Sequence, residues 1–268
     1  MYSKKHNERF VIMKKIFTLL LCIALLGSML MLVSCDKDKD DDEKYSDTLN
    51  GKTPEELYEF SQVQLKEAKS YSVATSQEIE MDIEGEKINI VQRIDSKVNG
   101  DNTYMNMVSE NDMYPSGNIT MESWYVDGVC YAKSGSEKVK ATISKAEYME
   151  KYMEADPSES TLLDIPESWF EDVKFEKKGD YNILKFVVSG EKYTALFGNI
   201  GLNGAEIDGD VEYRIYFDDD GNLTKLVAEF DMNVMGYTAH CESVSLITIG
   251  DVTVTPPSDA DKYQEVVL

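Results

Sequence analysis

The alternation of apolar and polar residues after position 70 constrains the fold more than any other feature of the chain. From 71 to 84 the even positions are mostly acidic or serine, and the apolar residues occupy odd positions, namely Tyr71, Val73, Ile79, Met81 and Ile83. A period of two residues is expected of a strand with one dry and one wet face. The alternation resumes after Glu84-Gly85-Glu86, so two long strands joined by a turn are predicted.

The same pattern continues along the chain as a series of strands separated by turn residues such as Asp127-Gly128. Strands are predicted at 103–109, 119–125, 129–133, 173–176, 181–188, 211–217, 223–234 and 237–249, with a further short one at 252–255. About ten strands, mostly joined by hairpins, would curl into a half-barrel rather than stay flat. The predicted fold class is therefore α+β, with one large, curved antiparallel sheet.

Three helices are predicted between the strands. The first begins at the Thr53–Glu56 capping box, the second at the Ser144–Glu147 capping box, and the third spans 191–200 before Gly201. A short helical turn is expected within 166–172. Because helices are the only elements available to cover the apolar face of the sheet, they are expected to lie on its concave side. For the first helix, the predicted buried face consists of Leu57, Phe60, Gln64 and Ala68.

The N-terminal region has the layout of an export signal. Met13-Lys14-Lys15 precedes the apolar run 16–31, which ends at Leu32-Val33-Ser34-Cys35. These last four residues resemble the lipobox of bacterial lipoproteins, which implies diacylglyceryl transfer to the Cys35 sulfur and cleavage before that residue. A transmembrane anchor is the alternative, because about 18 apolar residues can just span a bilayer.

The lipobox interpretation divides the chain into three parts. Residues 1–34 form a signal peptide with Met13 as its expected true start, residues 35–52 comprise the lipidated cysteine and an acidic tether, and residues 53–268 form a single domain. Two acyl chains suffice for stable membrane anchoring. The expected location is the extracytoplasmic face of the bacterial cell membrane, with the membrane as a partner through the covalent lipid anchor.

The charge of the chain excludes one class of partner. Of its 268 residues, 50 are acidic and 27 are basic, which gives a formal net charge of −23. A nucleic-acid-binding protein needs a basic patch, and none is visible in the sequence. No nucleic-acid partner is therefore expected.

The cysteine and histidine residues of the predicted domain do not form a recognisable catalytic or metal-binding motif. Cys130 and Cys241 both fall in predicted strands, where either a disulfide or two buried free thiols would fit. His240 is next to Cys241, but neighbours on a strand point to opposite faces, which argues against a nucleophilic pair. Asp218-Asp219-Asp220-Gly221-Asn222 reads as a hairpin turn first and as a weak cation site second. No catalytic residue, metal ligand or cofactor is predicted, and the protein is not expected to be an enzyme.

Several motifs together resemble one known family. They are the lipobox, the acidic tether, the TPEEL helix start, the WYVDGVCY hairpin at 124–131, the helix after Ser189-Gly190-Glu191 and the YRIYFDDDGNL hairpin at 213–223. Their order is similar to that of the LolA/LolB/LppX superfamily of half-barrel lipid and lipoprotein carriers, and closest to uncharacterised lipoproteins of Gram-positive bacteria. The resemblance implies a site for acyl chains between the concave sheet and its helices.

Adaptable apolar side chains on the inserted helices are candidates for lining such a site. They are Tyr148, Met149, Tyr152 and Met153 on the second helix and Tyr193 and Phe197 on the third. Methionine suits irregular apolar cavities, although ordinary packing of a helix on a sheet would use the same residues.

The sequence therefore predicts a membrane-anchored lipoprotein that binds or carries a lipid or another hydrophobic molecule in the half-barrel. The alternative is a cell-envelope interaction or scaffold lipoprotein without a ligand. A hydrolase of envelope polymers is the least favoured hypothesis.

Overall fold

A computed structural model describes residues 49, 51–83, 85–111, 118–147, 165, 167–179, 181–192, 205–234 and 236–266. One helix, α1 (Pro54–Glu67), precedes the sheet. The strands are β1 (Ser70–Ile83), β2 (Glu86–Asn99), β3 (Asn102–Asn111), β4 (Ile119–Val126), β5 (Val129–Ser134), β6 (Glu137–Thr142), β7 (Phe170–Lys178), β8 (Tyr181–Ser189), β9 (Ala205–Phe217), β10 (Leu223–Val234), β11 (Tyr237–Ile249) and β12 (Gln264–Glu265).

All twelve strands belong to one open sheet, in the order β12-β6-β5-β4-β3-β2-β1-β11-β10-β9-β8-β7. Neighbours are antiparallel except at the β12–β6 edge, where the short C-terminal strand runs parallel to β6. The predicted α+β fold with a large antiparallel sheet is confirmed. Strand β1 lies near the centre of the sheet and is hydrogen-bonded on both sides, to β2 and to β11.

Two strand predictions were incomplete or wrong. Strand β6 was missed because its sequence, EKVKAT, contains only two apolar residues and ends as a short strand near the edge. The strand predicted at 252–255 does not form. Instead, Val252 is held by the Ser70 hydroxyl, which accepts from its backbone N–H at 2.8 Å, and no ladder follows.

The alternation in β1 and β2 gives the burial that it predicts. The odd positions of β1 from 73 to 81 are buried, and so are the even positions of β2 from 88 to 94. Residues opposite each other in an antiparallel pair share a face. The buried positions of both strands therefore line one side of the sheet, which we call the inner face.

Helix α1 packs on the inner face. Its capping box is present: the Thr53 hydroxyl accepts from Glu56 N–H at 3.3 Å, and Thr53 N–H donates to the Glu56 carboxylate at 2.9 Å. The predicted buried face was only partly right. Leu57 is buried, but the other buried residues are Tyr58, Ser61 and Leu65, because the apolar stripe is shifted toward Tyr58.

Two of the predicted helices lie largely outside the described residues. The start of the second one is described, and its capping box is confirmed: Ser144 and Glu147 exchange hydrogen bonds through their side chains and backbone. Residues 190–192 are helical at the predicted start of the third. The helical turn predicted within 166–172 is a short 3-10 turn, Glu167–Trp169. No helix among the described residues is long and apolar enough to cross a membrane.

The C-terminal segment packs on the outer face of the sheet. Trp124 and Tyr131, which are opposite each other on β4 and β5, form a cluster with Val254 and Tyr263. A Lys138–Asp259 ion pair ties the same segment to β6. The outer face of this half of the sheet is therefore covered by the chain itself.

Candidate functional site: the inner face of the sheet

The inner face is filled at one side. Between α1 and the strands β8, β9, β10, β11, β1 and β2, side chains form one continuous core. Tyr58 of α1 stands edge-on to Phe186 of β8 with ring centroids 5.9 Å apart, and Phe186 stacks on Tyr213 of β9. Most of the apolar side chains of this half are therefore buried by the protein itself.

The other side of the inner face is partly open: Tyr125 and Ala141 are buried there, but other apolar side chains are exposed. In β4, β5 and β6 the register places Ile119, Met121, Ala132 and Val139 on the inner face, and we call these four residues the open patch. Met121 is 41% exposed and Val139 is 36% exposed, which places both among the six exposed large apolar residues of the described structure. The same strands bury Trp124 and Tyr131 on their outer face. In a sheet with a core on one side, the apolar side chains of the inner face are normally the less exposed ones, so this exposure on β4 and β6 is unusual.

A row of polar side chains crosses the centre of the inner face. Ser243 of β11 is opposite Gln77 of β1, Gln77 is opposite Gln92 of β2, and Gln92 is opposite Ser109 of β3. All four are buried, and we call them the polar row. Ser109 is in turn opposite Ile119, so the row ends at the open patch.

Part of the polar row has no hydrogen-bond partner. Among the described residues, neither amide atom of Gln92 has a hydrogen-bond partner, nor does the Ser109 hydroxyl. Beside the row, by contrast, the Thr75 and Ser245 hydroxyls are hydrogen-bonded to each other at 3.0 Å. Buried polar groups are nearly always paired, so Gln92 and Ser109 are exceptions, as are Asn89 Oδ1 and the Tyr263 hydroxyl on the outer face. Gln92 and Ser109 differ from those two in being opposite each other on adjacent strands of the inner face.

The inner face is electrically neutral around this row. On β1, β2, β3, β4 and β11, the inward positions carry no charged side chain apart from Glu86 beside the β1–β2 turn. The acidic residues of these strands alternate to the outer face. The inner face therefore offers apolar surface and neutral hydrogen-bonding groups.

The predicted lining residues cannot be compared with this site. Tyr148, Met149, Tyr152, Met153, Tyr193 and Phe197 all lie outside the described residues, as does Cys35. Their roles stay predictions.

Cys130 and Cys241 are free cysteines. They belong to β5 and β11, and four strands lie between these two in the sheet, so no disulfide joins them. Cys241 is buried, as the free-thiol alternative expects, whereas Cys130 is only partly buried. Cys241 contacts the Met232 sulfur at 3.4 Å. Burial raises the pKa of both thiols, which disfavours the reactive thiolate.

His240 and Cys241 face opposite sides of the sheet, as predicted. Cys241 is part of the inner core, whereas His240 lies on the outer face with its Nδ1 2.8 Å from the Asp231 carboxylate. Among the described residues, no group of three or more histidine, cysteine or acidic side chains could hold a metal ion.

The hairpin turn at Asp218 is confirmed. The Asp218 carboxylate accepts from the backbone N–H groups of Asp220 and Asn222 at 3.0 and 2.8 Å and from the Asn222 side-chain amide at 3.0 Å. Partial burial alone would raise the pKa of Asp218, but these hydrogen bonds outweigh it and lower the pKa. The carboxylate is thus used by the turn itself.

Sequence reasoning missed the polar row. The signal was present, because Gln77 and Gln92 stand at positions that the period-two pattern assigns to the dry face. A polar residue in a dry stripe is informative, but its neighbours on the other strands are known only from the register.

Residues 53–213 match the model of a family of unknown function, DUF6612. The chain belongs to this family. No curated protein matches the DUF6612 chain. Among solved structures, it is similar to LprF from Mycobacterium bovis, with 13% identity over 76% of this chain and 96% of that one and a TM-score of 0.41.

Two further solved structures are similar to the DUF6612 chain. An outer membrane lipoprotein-sorting protein domain from Vibrio parahaemolyticus shares 12% identity over 78% of this chain and 98% of that one, with a TM-score of 0.26. A DUF1329 family protein from Desulfovibrio piger shares 12% identity over 74% and 93%, also with a TM-score of 0.26. These scores describe a partial overlap of folds and say nothing about a ligand.

Proposed function

We propose that this DUF6612 protein is a lipoprotein, anchored through Cys35 at the extracytoplasmic face of the bacterial membrane, that binds a lipid or another hydrophobic ligand on the inner face of its sheet. The observation that carries the proposal is the open patch. Apolar side chains are exposed there while the outer face of the same strands is covered. An apolar molecule resting on Met121 and Val139 would remove that surface from water, at about 25 cal/mol per Å².

The residues around the open patch suit ligands of variable shape. Met107 of β3 is directly opposite Met121 of β4, and Met105 lies two residues away on the same face. Unbranched thioether side chains can adapt to differently shaped apolar partners. In this proposal, Tyr148, Met149, Tyr152, Met153, Tyr193 and Phe197 cover the ligand from the helix side.

The alternative is an interaction lipoprotein with a filled core and no ligand. The core between α1 and β8 favours it, since that half of the inner face is already packed. The two hypotheses differ in what the open patch does, and this difference can be measured directly.

The first test is extraction of the purified protein. Residues 36–268, which contain every described element, would be produced in a bacterial host, extracted with organic solvent and analysed by mass spectrometry. We expect a stoichiometric apolar or amphiphilic compound that is absent from a mock purification. An empty extract, together with no binding of a polarity-sensitive dye, would favour the interaction protein.

A charge placed in the open patch locates the site. Met121→Glu should abolish co-purification and weaken dye binding at least tenfold, because the ligand would have to desolvate a carboxylate. Leu246→Glu is the matched control, since Leu246 lies on the outer face of β11 and is 54% exposed. Both variants should keep the melting temperature of the wild type. Equal binding by Met121→Glu and wild type would contradict this site.

A further inference from the structure

We infer that the polar row recognises an uncharged group in the ligand that both donates and accepts hydrogen bonds. The ligand is then a neutral amphiphile, such as an acyl ester with a neighbouring hydroxyl, and neither a pure hydrocarbon nor a fatty acid anion. This inference rests on the proposed function and specifies the ligand class for the same site.

The unpaired atoms of Gln92 and Ser109 carry the argument. Gln92 is 0% exposed and Ser109 is 2% exposed, yet the amide nitrogen, the amide oxygen and the hydroxyl find no partner in the part of the chain that the structure describes. An unpaired buried group is costly, whereas an apolar residue of similar shape would fit such a place at little cost. A ligand that supplies the missing partners explains why polar residues occupy the centre of an apolar face.

The chemistry of the three atoms defines the partner. The Gln92 side chain offers one acceptor and two donors, and the Ser109 hydroxyl can act as either. A hydrocarbon would leave all of them unpaired. An ester or amide carbonyl with a nearby hydroxyl or N–H would satisfy both residues at once.

Apart from Glu86, the inward positions of the described strands β1–β4 and β11 are uncharged, which argues against an ionised ligand group at this point. A buried carboxylate needs a cation or several donors to offset its desolvation, and only Glu86, itself an anion, stands on these positions. The ligand group at the polar row is therefore neutral.

The polar row lies next to the open patch, where the ligand is proposed to bind. Ser109 is opposite Ile119, the member of the open patch next to β3. An apolar chain on Met121 and Ile119 would place a polar group at Ser109, one strand further in, and at Gln92, two strands further in. Ile94 and Met107 are opposite each other two residues further along the same strands and supply an apolar wall on that side.

The test compares three probes with the same chain length: 1-oleoylglycerol, oleate and 1-octadecene. Dissociation constants would be measured by displacement of a fluorescent dye from delipidated residues 36–268. We expect wild type to prefer 1-oleoylglycerol to either of the others by roughly tenfold, as expected for one or two net hydrogen bonds. Gln92→Leu and Ser109→Ala should lose this preference while still binding 1-octadecene.

A second readout separates recognition from a structural role. Gln92→Leu removes an unpaired buried amide, so the delipidated variant should melt at a higher temperature than wild type although it discriminates less well. Asn89→Leu is the matched control, because Asn89 is on the outer-facing side of the same strand: its amide nitrogen donates to the Glu78 carboxylate at 2.8 Å, while its Oδ1 is buried and has no partner among the described residues. It should leave the preference among the probes unchanged.

The outcomes are distinguishable. If wild type binds none of the three probes, the proposed function fails together with the inference. If it binds 1-oleoylglycerol and 1-octadecene equally, or if Gln92→Leu keeps the preference of wild type, the inference is wrong while the proposed function stands.

Discussion

At the scale of single residues, the Asp218 side chain stabilises the turn in which it lies. Its carboxylate accepts three hydrogen bonds from Asp220 and Asn222, which close the turn between β9 and β10. The turn also meets α1, because Gln64 donates to the Asn222 side chain at 3.0 Å and accepts from Leu223 N–H at 3.3 Å. A short polar loop thereby fixes both a hairpin and the end of a helix.

The lowered pKa of Asp218 makes a pH prediction. A carboxyl group whose pKa is lower in the folded than in the unfolded chain stabilises the fold above the unfolded value, about 3.9, and that stability is lost as the pH falls through the folded pKa. Asp218→Asn should therefore lower the free energy of unfolding at pH 7, by about 1 kcal/mol, and the difference from wild type should shrink below pH 4. Denaturant unfolding at pH 7, 5, 4 and 3 measures it.

Asp220→Asn is the control, since Asp220 is an exposed neighbour in the same turn. It should change stability by less than about 0.5 kcal/mol. A pH-independent difference between wild type and Asp218→Asn would contradict the prediction.

At the scale of elements, one phenol joins α1 to the sheet. The Tyr58 hydroxyl donates to the Ile165 carbonyl at 3.1 Å and accepts from the Ile165 N–H at 3.2 Å. Its ring meets Phe170 of β7 edge-on with centroids 4.7 Å apart. The helix is thus held both by apolar packing and by a pair of buried hydrogen bonds across 107 residues of sequence.

Removing the Tyr58 hydroxyl tests how much its two hydrogen bonds to Ile165 stabilise the fold. Tyr58→Phe keeps the ring contacts but leaves both backbone groups of Ile165 unpaired, so the free energy of unfolding should fall by about 1–3 kcal/mol. Tyr181→Phe, on an exposed tyrosine, should have an effect below about 0.5 kcal/mol. Equal effects of the two substitutions in denaturant titrations would show that the Ile165 hydrogen bonds do not stabilise the fold.

Elements also show where sequence patterns succeed and fail. Strands β1 and β2 were predicted almost to their ends because buried and exposed positions alternate along most of their length. Strand β6 carries only Val139 and Ala141 as apolar residues, and it forms because β5 supplies its partner. Segment 252–255 has strand-like residues but no free edge beside it, so it lies across the outer face.

At the scale of the molecule, the chain covers opposite faces of the sheet at its two ends. Helix α1 covers the inner face near β7 to β9, and the C-terminal segment covers the outer face near β4 to β6. The open patch remains on the inner side of those same strands. The proposed ligand would cover the inner face at the open patch, as α1 covers it near β7 to β9.

Tyr263 tests the outer cover. It packs against Trp124 and Tyr131, and its hydroxyl is buried without a hydrogen-bond partner, which raises its pKa to about 12 through burial. Tyr263→Ala should cost about 3 kcal/mol and shift tryptophan fluorescence to the red. Tyr263→Phe should be neutral or stabilising because it removes an unpaired group. A red shift in both variants would contradict this account.

The sequence by itself determined most of the strands, the start of the first helix and the dry stripe, because these depend on periods of two and 3.6 residues and on capping residues a few positions apart. Only the tertiary structure decided which residues of that stripe meet. Ser243 is brought beside Gln77 by the pairing of β1 with β11, and Ser109 beside Gln92 by the register of β2 with β3. Register depends on long-range pairing and on turn geometry, so a polar row that crosses four strands has no local signature.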